Sequence, residues 1–401
     1  MINVAILHPI DPAGHVPSGI DAFIRGILKF APPDIRYTLF GATSDPVARP
    51  PGKLAKVVLG ERAIEYWPLV TMDARAERGL VPLTIRYMYA LRGVRKRGLL
   101  KPCGILDFHR IEPSFLFSSD PRPKNVLLHQ DMSVIRDPDS DILWRHAPGL
   151  YERLERRAFS RMRRIFAVRQ SAVERYRRLY PEFAERFAFI PTWVDSTVFS
   201  PSTSDSSRES TRAALRREIG IPPDAPLLVF VGRLDQQKDP LLLIDALKLT
   251  VASVPNLHLA VVGDGVLRSR VQELVRTLEL AAQVHFMGVR PPLEIAEILR
   301  AADLYVLCSA YEGMPIAMLE ALATGLPVVC TDVGEVRLVI RDGINGQISS
   351  GREPASFADA MVRGLSRAHL LRGAACVRAV NEYRPEPVLE NVYANHRLQG
   401  A

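Results

Sequence analysis

The chain has 401 residues, 47% of them hydrophobic and 24% charged, with a formal net charge of +8. Domains stop growing at about 250 to 300 residues, so two are expected, and this composition excludes a low-complexity or disordered chain. The start, MINVAILHPI, has no basic region before its short apolar run, and no stretch of about 18 apolar residues occurs, so neither a signal peptide nor a membrane span is expected and a cytoplasmic location is.

In chain order, VAILH (4–8), ILDFH (105–109), NVLLH (125–129) and RIFAV (164–168) read as buried strands. The run SPSTSDSSREST (200–211) is polar and Ser/Thr-rich and reads as a linker. It sets the expected boundaries: a first domain over 1–199, a linker over 200–212, a second domain over 213–382, and a C-terminal helix over 383–401. In the second half LLVFVG (227–232), HLAVVG (258–263), VHFMG (284–288), LYVLCS (304–309) and PVVCT (327–331) read as strands. They alternate with helical patterns at 240–253, 266–280 and 291–301. Strands alternating with helices in both halves predict two doubly wound, Rossmann-like parallel-sheet α/β domains, in which ligands bind beyond the carboxyl ends of the strands. In the last segment Val388, Leu389, Val392 and Tyr393 are spaced for one helical face.

Charge is unevenly placed. Residues 1–200 hold 31 Lys and Arg against 21 acids, and residues 201–401 hold 21 against 23, which points to an acidic partner for the first half. The basic residues cluster at Arg92, Arg95, Lys96 and Arg97 and between Arg153 and Arg178. No aromatic interleaving or nucleic-acid motif accompanies them, so nucleic acid is not an expected partner; an anionic membrane surface and a solvated basic face both remain open. Cys103, Cys308, Cys330 and Cys376 include no C-x-x-C pair and are expected as buried thiols.

Two stretches carry candidate chemistry. GRLDQQKD (232–239) places Arg233 and Lys238 on the loop before a helix, where a guanidinium fork, an ammonium and the helix N-terminus together suit a diphosphate. Taken alone they also read as solvated surface cations. YEGMPIAMLE (311–320) follows a strand, and Pro315 suits the first turn of a helix running to Gly325. Glu312 then lies in the loop, Gly313 lets backbone approach a ligand, and Glu320 lies about a turn and a half into the helix, so one extended molecule could be gripped at two points. Separately, Glu312 reads as an acid favoured at a helix start and Glu320 as a surface residue. His109, ending ILDFH, reads from its neighbours as a strand-end histidine hydrogen-bonded locally. DPDSD, with Asp137, Asp139 and Asp141, contains D-x-D patterns that could hold a divalent metal, but Asp and Pro in a polar stretch are ordinary turn formers.

The ordered set G-R-L-x3-K and, some seventy residues later, E-G-x-P-x4-E strongly resembles the retaining glycosyltransferases of family four, which have the B-type fold of two such domains facing a cleft. VVGDG (261–265), VHFMG, AADLYVLCSAYEGMPIAMLEALATGLPVVCTDVG (301–334) and DGINGQI (342–348) extend the resemblance in the second half, and PSGID (17–21), FHRIEPS (108–114) and FIPTWVDSTVF (189–199) in the first. It implies a hexosyltransferase that moves a sugar from a UDP- or GDP-linked nucleotide-sugar donor to a glycan or lipid-linked acceptor, in cell-surface polysaccharide or glycolipid synthesis. By the same resemblance Arg233 and Lys238 neutralise the donor's diphosphate without a metal or other cofactor, and Glu320 binds the ribose. Glu312 with the backbone of Gly313, Met314, Pro315 and Ile316 holds the transferred sugar. Gly19 approaches the diphosphate, Val289 and Arg290 meet the base, His109 sits by the reacting sugar, and the last helix crosses back to the first domain. The chain departs from the pattern at Asp332, Val333, Gly334 and Glu335, where the family often has Gly-Gly. A non-hydrolysing nucleotide-sugar epimerase and a non-catalytic nucleotide-sugar-binding protein are the alternatives. VVGDGV is no G-x-G-x-x-G, which argues against a dinucleotide oxidoreductase.

Overall fold

The computed structural model of the chain describes residues 1–14, 19–72, 81–129 and 147–400. It divides into two units, Met1–Pro191 with Pro385–Ala401, and Thr192–Arg384.

The first unit is built on eight strands: β1 (Ile2–Leu7), β2 (Ile35–Thr43), β3 (Ala55–Leu59), β4 (Arg62–Thr71), β5 (Ile105–Phe108), β6 (Lys124–Leu128), β7 (Arg164–Ala167) and β8 (Phe187–Phe189). They form one sheet in the order β3-β4-β2-β1-β5-β6-β7-β8. Among the described residues only the β3–β4 pair is antiparallel. Val4 to Leu7 are wholly buried, as expected of a central parallel strand covered on both faces. The chain leaves β1 toward β2 on one side and resumes at β5 on the other, so the ends of β1 and β5 flank the point where strand order reverses.

The C-terminal helix Pro385–Gly400 belongs to this unit, with Val388, Leu389, Val392 and Tyr393 buried along one face. Its inner end is polar and paired: His396 Nε2 lies 2.7 Å from Asp107 Oδ2 on β5, and His396 Nδ1 lies 2.9 Å from Tyr37 Oη on β2. Asn125 Nδ2 donates to Asp107 Oδ1 at 2.9 Å, and Gln399 Nε2 donates to Asn125 Oδ1 at 2.8 Å.

The second unit has six strands: β9 (Leu227–Val231), β10 (His258–Val262), β11 (Val284–Gly288), β12 (Leu304–Leu307), β13 (Val328–Cys330) and β14 (Gly346–Ile348). Their order is β11-β10-β9-β12-β13-β14 and every pair is parallel. Here order reverses at β9, so the loops leaving β9 and β12 flank the place where such sheets take ligands. All four cysteines are free and buried. No described helix is long and apolar enough to cross a membrane.

Two expectations are corrected. Residues 200–212 are not the connection between the units, because the chain passes into the second unit at Thr192, and Val194 and Phe199 sit in that unit's core. The polar run is the capped start of a helix, Asp205–Glu218, in which Ser204 Oγ accepts from Ser207 N at 3.1 Å. Arg216 anchors that helix: it is buried, donates through Nη2 to Asp303 Oδ2 at 2.8 Å, and bonds the Ala225 and Ala301 carbonyls. The C-terminal segment rejoins the first unit at Pro385, two residues later than expected. The stretch 41–103 also holds structure that no sequence pattern suggested: the end of β2, β3, β4 and the helix Leu83–Lys96.

Candidate functional site

The loop leaving β9 is shaped by backbone contact with the loop leaving β10. Gly263, at φ +132°, lies so close to the Gly232 carbonyl that a Cβ would stand 1.9 Å from its oxygen, and a Cβ on Gly265 would stand 2.4 Å from Leu234 O. Both glycines of VVGDG therefore serve close approach. Asp235 Oδ1 then accepts from Lys238 N at 3.0 Å, turning the chain, and Asp239, at φ +45°, caps the helix Pro240–Ser253 through Leu242 N.

The loop leaving β12 is fastened to this one. Ala310 N donates to Gln237 O at 2.8 Å and Cys308 Sγ to Lys238 O at 3.0 Å. Lys238 Nζ and Glu312 Oε1 meet at 2.6 Å, with side chains 16% and 7% exposed. The same carboxylate accepts from Ser309 Oγ at 2.7 Å and from Gln237 Nε2 at 3.3 Å. Ser309 and Gln237 were not singled out from sequence; a hydroxyl three residues before Glu312 was the available signal. Arg233 is more exposed and is held by Asp235 Oδ2 at 2.9 Å and Gln237 Oε1 at 3.2 Å.

Pro315 caps the helix Ile316–Ala323, and no side chain bonds its first-turn N–H groups, which leaves donors beside Gly313, Met314, Pro315 and Ile316. Gly334, at φ +57°, allows the loop leaving β13 to reach this turn: Glu335 N donates to Gly313 O at 2.9 Å, and a Cβ on Gly334 would stand 2.2 Å from that oxygen. The departure at 332–335 thus keeps its glycine where backbone approach demands one. Glu320, in the second turn, is half-buried and makes no side-chain hydrogen bond among the described residues. Burial pushes its carboxyl up to about 7, Asp195 adds to the rise and Lys238 opposes it.

Val289 and Arg290 follow β11. Val289 is exposed, while the Arg290 side chain is engaged by Met287 O at 2.9 Å, Glu294 at 3.0 Å and Glu218 at 3.5 Å. The second unit therefore brings Arg233, Lys238, Glu312 and the start of the 316–323 helix into one bonded assembly, and neither Val289 nor Arg290 hydrogen-bonds to it.

Gly19 and His109 belong to the first unit. Gly19 opens the helix Gly19–Lys29. His109, just past β5, is buried, and its Nδ1 lies 3.0 Å from Nε2 of His129, just past β6; the edge of His8, just past β1, faces it with ring centroids 5.8 Å apart. Burial lowers His109 to about 4 and holds His8 and His129 well below the usual imidazole range. In the helix that Gly19 opens, burial pushes Asp21 up to about 6, against Arg25 and Arg110. Asp137, Asp139 and Asp141 lie outside the described residues. Among the described residues no three His, Cys, Asp or Glu side chains are placed to hold a metal ion.

Residues 211–371, the part of the chain that carries β9 to β14 and their loops, match the family described as glycosyl transferases group 1. Curated relatives include D-inositol 3-phosphate glycosyltransferases from Corynebacterium urealyticum, 32% identical over 194 residues, and from Xylanimonas cellulosilytica, 35% identical over 210 residues. The matches cover 47% and 49% of this chain and 45% and 48% of those proteins, so the chain spans about half the length of the curated relatives it matches. Over 99% of the chain the fold is that of a sucrose-phosphate synthase from Thermosynechococcus elongatus, with a TM-score of 0.78 at 19% identity and 99% of that chain covered. HepE of Anabaena, solved in complex with UDP-glucose, gives 0.74 at 16% identity over 99% of this chain and all of that one. The two units have the fold of B-type glycosyltransferases.

Proposed function

We propose that the protein is a retaining glycosyltransferase that transfers a sugar from a UDP- or GDP-linked donor to a glycan or lipid-linked acceptor without a metal. The observation that carries this reading is the Lys238–Glu312 pair at the ends of β9 and β12, with the unpaired carboxyl of Glu320 in the adjoining helix. Lys238 and Arg233 are the cations for a diphosphate leaving group, whose growing charge they stabilise. Glu312 and the backbone N–H groups of Gly313, Met314 and Ile316 take hydroxyls of the transferred sugar, with Pro315 shaping the turn. Glu320, which makes no side-chain hydrogen bond among the described residues, takes the ribose hydroxyls, and Gly19, Val289, Arg290 and His109 keep the roles that the resemblance gives them. The group 1 match and the glycosyltransferase relatives support transfer over epimerisation or mere binding. The group 1 match does not extend to the first unit, where the acceptor would be chosen, and the relatives are matched over only about half their length, so the inositol phosphate in their names is not carried over.

The proposed cytoplasmic setting includes the inner face of a membrane. Arg92, Arg95, Lys96, Arg97, Arg153, Arg157 and Arg163 are exposed, and Ile85 and Tyr89, on the helix that carries Arg92, are 58% and 78% exposed. Apolar side chains among cations suit an anionic leaflet. Phe159 and Met162, in the second basic run, belong to the core instead.

The test is thermal melting with UDP, GDP, ADP and their sugars, followed by turnover with whichever donor stabilises the protein. Stabilisation by a nucleotide sugar and by its free diphosphate, lost in Glu320→Ala, is expected.

A further inference from the structure

Three histidines end neighbouring strands of the first unit, His8 after β1, His109 after β5 and His129 after β6. The role of one of them is open to derivation, because the atoms that meet are specific: His109 Nδ1 lies 3.0 Å from His129 Nε2, with the two rings 22° from parallel. One proton must lie between the two nitrogens, and it fixes both rings. If His129 supplies it, His129 is the Nε2–H tautomer, and the neutral His109 ring, its Nδ1 now an acceptor, carries its hydrogen on Nε2. If His109 supplies it, both rings are Nδ1–H. A neutral imidazole side chain prefers the Nε2–H form, so the first arrangement gives both rings their favoured tautomer and the second gives neither. The nitrogen a histidine offers is set in this way by the bond its other nitrogen makes.

We propose that His129 is a positioning residue that locks His109 as the Nε2–H tautomer and fixes its ring plane, so that His109 offers a hydrogen-bond donor to a hydroxyl of the transferred sugar. His109 Nε2 finds no protein partner among the described residues, which leaves that donor for a ligand. The groups around the pair keep it neutral: burial disfavours either imidazolium, His109 and Arg110 oppose a positive charge on His129, and Asp107 only partly offsets burial for His109. A neutral donor at this place polarises a hydroxyl without adding a proton to it. The sugar-directed part rests on the glycosyltransferase reading, whereas the tautomer does not.

The experiment is nitrogen–proton correlation NMR of the full chain with 15N-labelled histidine near pH 7, with His109 assigned by the signal lost in His109→Asn. The expected wild-type pattern has His109 and His129 both protonated at Nε2. In His129→Phe, which keeps ring volume but has no N–H, the His109 signals should move to a tautomer mixture. In His129→Gln, whose amide nitrogen restores a donor, they should return. With a donor that turns over, His129→Phe should lower kcat by about 10- to 100-fold with little change in KM for the nucleotide sugar, the scale expected of a misplaced group, and His129→Gln should recover most of it. His109 protonated at Nδ1 in the wild type overturns the proposal, as does a kcat unchanged in a folded His129→Phe. If His129→Phe does not fold, the wild-type pattern and His129→Gln decide. Wild-type Nε2 protonation with no turnover of any donor would reject the enzymatic reading alone.

Discussion

Lys238 and Glu312, 74 residues apart, are joined by a 2.6 Å contact because β9 and β12 are neighbours in the sheet and the loops leaving them run side by side. The pair does two things at once. It ties the two loops together, and it presents a cation and a carboxylate at the end of the sheet where ligands enter.

That double role separates the two cations. Lys238→Ala leaves the mostly buried Glu312 with only Ser309 and Gln237, so stability should fall by about 1 to 3 kcal/mol, the range for a charged group that loses its partner. Arg233→Ala, at a largely exposed side chain, should leave the melting temperature nearly unchanged. Both should lower turnover strongly. Equal melting of Lys238→Ala and wild type would show that the contact carries no weight in the fold.

The two glutamates differ in protonation as well as in place. Glu320 is raised from 4.5 to about 7 by burial, so between these values the native state holds a proton that the unfolded chain has released. Its contribution to stability is therefore full at low pH and declines as pH rises from about 4.5 to about 7. Glu320→Gln should flatten that part of the stability profile, read from urea midpoints at a series of pH values. Nucleoside diphosphate binding, which wants the carboxylate as acceptor, should strengthen through pH 7 in the wild type. That trend should vanish in Glu320→Gln, while Glu312→Ala should spare diphosphate binding and impair transfer.

The C-terminal helix should be a structural part of the first unit. His396→Ala removes a buried ring that pairs with both Asp107 and Tyr37, and it should cost about 2 to 3 kcal/mol. Removing residues from Tyr383 onward should uncover the apolar face of the first unit that Val388, Leu389, Val392 and Tyr393 cover. Unchanged melting of the truncated protein would contradict this.

Sedimentation with vesicles tests the basic surface. Binding to anionic but not neutral vesicles, weakened by salt and by Tyr89→Ser, is the expected result. Binding that is indifferent to salt would remove the electrostatic account.

The sequence made the second unit largely readable and the first only in part. Pro240 with Asp239 before it marks a helix start, and the helix Pro240–Ser253 runs where its pattern placed it. By contrast β4, RAIEYWPLVT, carries Arg62, Glu65 and Pro68, and β3 pairs only with it at the sheet edge, so neither shows the unbroken apolar run of a central strand. Residues 200–211 misled because serines that cap and begin a helix have the same composition as a linker. Glu312 and Lys238 stood out as types in a spacing, but their contact needs the pairing of β9 with β12. Likewise VAILH, ILDFH and NVLLH each end visibly in histidine, yet only the order β1-β5-β6 brings the three rings together.

The central claim is sugar transfer with retention and without a metal. It is tested most directly by incubating the protein and an acceptor mixture with UDP-, GDP- and ADP-sugars in EDTA and following nucleoside diphosphate release and the anomeric protons of the product by NMR. The account predicts release with one donor class, unaffected by EDTA and lost in Lys238→Ala, and a new glycoside with the donor's anomeric configuration. An inverted linkage, an epimerised nucleotide sugar with no acceptor consumed, or a strict need for Mg²⁺ or Mn²⁺ would contradict it.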